Sequence, residues 1–186
     1  MAHIDFKNDL PGIRSAMAFS PKTAAPMSEL AEILLRTSEG LTRAERELIG
    51  TYVSYLNDCF YCHQSHGEIA CIYLDGNREL VEWVKKDFKE AAISEKLKSL
   101  LAIAAKVQQG GKFVTEQDIE YAKRHGATDL DIHDTVLIAA AFCMFNRYVD
   151  GLNTTTPTDL SSYPLRARQI AENGYGSHIY TQKQPA

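Results

Sequence analysis

Thr42-Arg43-Ala44-Glu45-Arg46-Glu47, followed by Leu56-Asn57-Asp58-Cys59-Phe60-Tyr61-Cys62-His63-Gln64-Ser65-His66, is the stretch whose reading decides the fold. Thr42 and Glu45 form a capping box, in which the threonine side chain takes the N3 amide and the glutamate reaches back to the cap. The helix it opens carries Leu48, Ile49, Tyr52, Val53 and Leu56 at helical spacing. Asn57-Asp58 is the expected break, because both residues favour turns and caps over helix interiors. With Asp58 as N-cap, Cys59 falls in the first turn of a second helix running to about Leu74, which Gly76 ends. Were 42–74 one straight helix, Glu47 and Cys62 would stand about 22 Å apart. A fold-back at Asn57-Asp58 puts Glu47 about 16 Å and His66 about 13 Å from the turn, level across an antiparallel hairpin. Cys62 lies nearer the turn, at about 7 Å, so the spacing predicts a relay in the order Glu47, His66, Cys62.

Helical spacing dominates the chain outward from that hairpin, and alternating strand patterns are nearly absent. A first helix is expected from about Pro26 to Thr37, ended by Gly40. Others are expected at roughly 77–87, 94–109, 115–125 and 129–150, with Thr115–Asp118 as a second capping box and Thr128 and Asp131 opening the last and most apolar. Residues 1–24 read as an N-terminal segment, and 152–186 as a C-terminal arm with an amphipathic stretch near Leu165–Glu172. Both are expected to pack on the core, about 25–150, or on neighbouring subunits. Together these elements predict an all-α, single-domain helical bundle over residues 1–186, with the Cys-x-x-Cys at the N-terminus of a core helix.

At 186 residues, 45% apolar and 24% charged, the chain has enough material for one real core. A net charge of −4 and the absence of any basic run argue against nucleic acid or an anionic membrane as partner. The longest apolar run, Val136 to Phe145, has about half the length needed to span a bilayer. The N-terminus lacks a basic n-region and an apolar h-region, so a cytoplasmic location with reduced thiols is the expectation.

A thiol pair two residues apart closes a small disulfide ring within one helical turn, which suits reversible two-electron chemistry. His66 lies over the same helical face as Cys62 and can take its proton, while Glu47 can set the tautomer of that histidine. Two arguments about the sulfurs conflict. The partial positive charge of a helix N-terminus favours Cys59 as the thiolate, whereas the i+4 histidine favours Cys62. Competing readings are a zinc site from Cys59, Cys62, His66 and Cys71, and a c-type haem attachment at Cys59–His63; neither suits residues strung along one helix of a chain without an export signal. His133, Asp134, Asn146 and Arg147 read first as helix-end or interface anchors, and Cys71 and Cys143 as inert buried thiols.

Glu47-x11-Cys59-x2-Cys62-x3-His66, with Leu41-Thr42-x-x-Glu45-Arg46 before it and Gly67-Glu68-Ile69-Ala70 after it, resembles the core motif of the alkylhydroperoxidase D-like, peroxidase-related branch of the carboxymuconolactone decarboxylase family. Ile132-x-Asp134 and Phe145-Asn146-Arg147 resemble a second block of that branch. The resemblance implies an all-α fold assembled as trimers or hexamers, and reduction of small hydroperoxides without metal or organic cofactor. It implies Cys62 as the peroxidatic nucleophile, Cys59 as its resolving partner, and Glu47 with His66 as the proton relay. An external dithiol, such as a lipoyl domain or a thioredoxin-like protein, would restore the pair. Tyr61 stands where the best-studied members carry a histidine, and His63 on the far side of Cys62 points about 100° away, so both are auxiliary candidates. The alternatives are a decarboxylase or other small-acid enzyme on the same fold, and a non-enzymatic redox-sensing stress protein.

Overall fold

The structure, a computed structural model, describes residues 1–176; residues 177–186 of the expected C-terminal arm lie outside the described residues. Among the described residues there are nine α-helices and no strand. They are α1 (Ile13–Phe19), α2 (Pro21–Arg36), α3 (Arg43–Leu56), α4 (Phe60–Tyr73) and α5 (Arg78–Asp87). There follow α6 (Glu95–Gln109), α7 (Glu116–Arg124), α8 (Asp129–Gly151) and α9 (Tyr163–Asn173). No helix among the described residues is long and apolar enough to cross a membrane.

The bundle is organised around α3, on which every residue from Arg46 to Ser54 is buried. Packing against α2, α4, α5, α6 and α8 wraps this helix on all sides. The main core gathers Leu48, Ile49 and Val53 of α3 with Leu100, Leu101 and Ile103 of α6 and Ile138 and Phe142 of α8. Each such side chain contributes about 1.5–3 kcal/mol by leaving water. A helix enclosed in this way has no solvent to satisfy Arg46 and Glu47, so both charges must find partners inside the protein.

Arg46 finds its own. Its guanidinium donates to the carbonyls of Leu34, Glu39 and Leu41 and to the Asp134 carboxylate at 2.7 Å, joining the α2–α3 loop to α8. Asp134 is thus an anchor for the central helix, and Arg46 is not the partner of Glu47. Capping boxes form at Thr42/Glu45, Thr115/Asp118 and Thr128/Asp131.

The start of the chain departs from expectation. The helix expected from Pro26 begins at Pro21, where a first-turn proline loses no bond, and Pro26 lies inside it. The short α1, for which no helix was expected, precedes it within the N-terminal segment. That segment is tied down by backbone bonds from His3 to Leu152 and from Gly12 to Thr155. The described part of the C-terminal arm packs on the core: α9 lies along α4, burying Ala167 and Ile170 against Ile69.

Candidate active site

The α3–α4 turn brings the two helices into the expected hairpin. Asp58 takes a left-handed backbone conformation (φ 56°), which aspartate tolerates better than most residues. The Cys59 amide returns to the Ser54 carbonyl. The N-cap of α4 is therefore Cys59, one residue later than the expected Asp58, and its side chain makes no capping bond. Asn146 of α8 fastens this corner: it donates to Ser54 Oγ and accepts from Asn57, whose own carbonyl oxygen accepts from Gln108.

Glu47 is fully buried and holds two partners. His66 Nδ1 lies 2.8 Å from its Oε2, so the fold-back sets the two residues level as the spacing predicts. The Tyr175 hydroxyl donates to Oε1 at 2.6 Å. With Nδ1–H directed at a carboxylate, the tautomer leaves Nε2 as the basic nitrogen. The phenol is 3.2 Å from Nδ1, but both groups donate to the same carboxylate, so this is a contact of two donors. The imidazole is held between two rings: Tyr175 lies nearly parallel to it (centroids 6.0 Å apart, 17° between planes), and Phe142 meets it edge-on at 4.6 Å. Phe142 reaches this place because residue 50 is glycine; a Cβ there would fall 2.3 Å from the ring.

Sequence reading missed Tyr175, which lies just beyond α9. Gly174 takes a left-handed conformation (φ 81°), and a Cβ there would come 2.4 Å from Glu32 Oε2. The Tyr175 amide donates to that same oxygen at 2.6 Å. Arg36 bonds Glu32 and the Ile170 and Ala171 carbonyls, so α2 fastens the end of α9 and aims the tyrosine. Burial first, and then the Glu47 charge, push the Tyr175 phenol well above its ordinary range, so it remains a donor. The available signal was Asn173-Gly174, a helix-ending glycine directly before an aromatic residue.

The two cysteines are free and differ in access. Cys62 lines an apolar cavity of about 100 Å³ shared with His66, Tyr175, Tyr61 and Phe142, whereas Cys59 does not line it and is fully buried. A hydrogen bond to Cys62, with burial next, pushes the Cys59 thiol up rather than down. The helix-terminus argument for a low Cys59 pKa therefore fails: desolvation and the neighbouring sulfur outweigh the dipole. Tyr61 packs under the Gly12 backbone, where a Cβ would clash with its ring at 2.2 Å. His63 does not line the cavity; it packs against the edges of Tyr55 and Phe60 at 5.6 and 5.2 Å. Burial and then Lys85 push its pKa down to about 4. Cys71 belongs to the main core, apart from the pair.

Residues 77–156 match the profile of the carboxymuconolactone decarboxylase family, a span that begins beyond the cysteine pair. Two solved structures match the fold over most of the chain. A peroxidase-related protein from Silicibacter sp. TM1040 is 28% identical, with a TM-score of 0.73 over 83% of this chain and 78% of its own. An alkylhydroperoxidase AhpD core, peroxidase-related protein from Ralstonia eutropha JMP134 is 28% identical, with a TM-score of 0.74 over 81% and 79%. The chain is similar to the alkylhydroperoxidase D-like, peroxidase-related proteins of the carboxymuconolactone decarboxylase family. No curated protein matches it. The all-helical fold of these structures is the fold found here, with Cys59 and Cys62 as its Cys-x-x-Cys. Tyr175 from the C-terminal arm joins His66 at the Glu47 carboxylate.

Proposed function

We propose that the protein is a thiol-dependent peroxidase in which Cys62 attacks, Cys59 resolves, and His66 with Glu47 moves the proton. The observation that carries the reading is that Cys62 and His66 face one apolar cavity, with the buried Glu47 carboxylate directly behind the histidine. His66 Nε2 takes the Cys62 proton across the cavity, and Glu47 balances the imidazolium. The Cys62 thiolate attacks the distal oxygen of a hydroperoxide and the O–O bond breaks. The departing alkoxide takes the proton from His66 and leaves as an alcohol. Cys62 is now a sulfenic acid. Cys59 gives up its proton as its sulfur attacks the Cys62 sulfur; hydroxide leaves with that proton as water, and a disulfide remains. An external dithiol, a lipoyl or thioredoxin-like group, returns two electrons and two protons.

The test is a thiol count by alkylation and mass spectrometry before and after one equivalent of cumene hydroperoxide, on wild type and Cys62→Ser. The expected result is rapid formation of a Cys59–Cys62 disulfide in wild type and none in the variant. Thiols that oxidise no faster than free cysteine would overturn the reading.

A further inference from the structure

We propose that the cavity selects hydroperoxides that carry a negative charge of their own, an inference that rests on the peroxidase reading and names its substrate class. The apolar chamber at Cys62 adjoins a second chamber of about 60 Å³, and the two share Arg14, Tyr61, Ser65 and Arg166 among their walls. Arg14 comes from α1 and Arg166 from α9, so two separate helices each contribute an arginine to the wall that the chambers share. Among the described residues, no aspartate or glutamate lines either chamber. Arg14 Nε is buried with no hydrogen-bond partner among the described residues. A buried guanidinium N–H without an acceptor is costly and therefore uncommon, and a ligand oxygen is the acceptor this site lacks.

The chambers divide one ligand between them. The apolar half of the molecule, bearing the peroxide, fits among Ile13, Met27, Phe142 and Cys62. A carboxylate on the same molecule then meets the Arg14 Nε–H, with the positive charge of Arg166 in the same wall. Charge-assisted bonds of this kind discriminate by about ten- to a hundredfold between a ligand that makes them and one that cannot.

The test compares cumene hydroperoxide with its para-carboxylate, which differ only in the charged group. The rate of Cys59–Cys62 disulfide formation is measured for each in wild type, Arg14→Gln and Arg166→Gln. The expected outcome is a ratio of about ten or more in favour of the carboxylate in wild type, falling toward one in Arg14→Gln. Equal rates in wild type, or a preference that survives both substitutions, would overturn the inference and leave the peroxidase reading intact. If neither compound yields the disulfide, the peroxidase reading fails instead. Calorimetric titration of wild type with para-isopropylbenzoate then decides on the anion site alone: binding lost in Arg14→Gln supports it, and no binding overturns it.

Discussion

Replacing Tyr175 by phenylalanine isolates one oxygen atom. The ring remains to lie against His66 and fill the space beside Phe142, while the 2.6 Å bond to Glu47 Oε1 is lost. Glu47 is fully buried, so water cannot replace the phenol without disturbing the packing. A hydrogen bond to a charged group is worth about 1.5–3 kcal/mol, and a stranded buried acceptor puts the cost at the upper part of that range. For a chain of this length each kcal/mol moves Tm by about 2–4 °C, so a fall of roughly 5–10 °C is expected. Loss of the second tether also frees Glu47 to turn away from His66. Disulfide formation with peroxide should then slow about ten- to a hundredfold, the same energy expressed in a barrier. The assay that separates this bond from general damage is a double-mutant cycle of Tyr175→Phe with Glu47→Gln, read by urea unfolding. Coupling of about 1 kcal/mol or more is expected. Additivity within about 0.5 kcal/mol, together with an unchanged oxidation rate, would refute a Tyr175–Glu47 bond in solution.

Arg46→Met strands the buried Asp134 carboxylate and the carbonyls of Leu34 in α2 and of Glu39 and Leu41 in the loop, and should cost about 3–5 kcal/mol in urea unfolding; adding Asp134→Leu should restore part of that, whereas a single variant as stable as wild type would contradict the anchoring role. His63 titrates at about 4 in the folded protein and near 6.5 unfolded, so the unfolded chain takes up the proton first on acidification. The stability from its neutral form is fully present above about pH 6.5 and is lost as the pH falls toward 4. Wild type should lose about 2 kcal/mol more than His63→Gln between pH 7 and pH 5, and parallel stability curves would contradict that assignment.

The parts of the site visible in the sequence were those fixed by local chemistry. Thr42 and Glu45 announce α3 because a capping box involves only four consecutive residues. Asn57-Asp58 announces the turn, and helical rise alone then sets Glu47 level with His66. The exact cap was not legible, because Asp58 can serve a turn either as an N-cap or in the left-handed region, and the Cys59 amide bond to Ser54 selects the second. The seven residues of α1 are too few to be helical unaided and bury only Ser15 and Ala16, so no periodic signal marks them. Tyr175 is invisible for a different reason. It meets Glu47 across most of the chain, and that meeting depends on α9 docking along α4 and on Arg36 capping its end. Spacing rules reach one helix or one hairpin; they do not reach a contact made by topology.

The same distinction bears on the conflict between the two sulfurs. Viewed as a helix terminus alone, the start of α4 offers Cys59 the most exposed amides and the strongest dipole. In the fold Cys59 itself is not exposed, although Asp58 and Phe60 on either side of it are. Val149 of α8 and Tyr163 of α9 close over Cys59, with Tyr61 and Cys62, in a small core of its own. The dipole is then a contribution of about 1 kcal/mol acting on a sulfur that has lost its water, with the Asp150 carboxylate adding repulsion. Cys59 is left protonated and enclosed, with Cys62 as its hydrogen-bond partner, and of the pair only Cys62 opens to the cavity where His66 waits. Under the proposed chemistry the order of attack therefore follows from which sulfur the C-terminal arm and α8 cover. A substitution that uncovers Cys59, such as Tyr163→Ala, should let peroxide reach both. With Cys62→Ser in the background, mass spectrometry should then find Cys59 oxidised by cumene hydroperoxide, and a Cys59 as inert as in Cys62→Ser alone would contradict this account of the order.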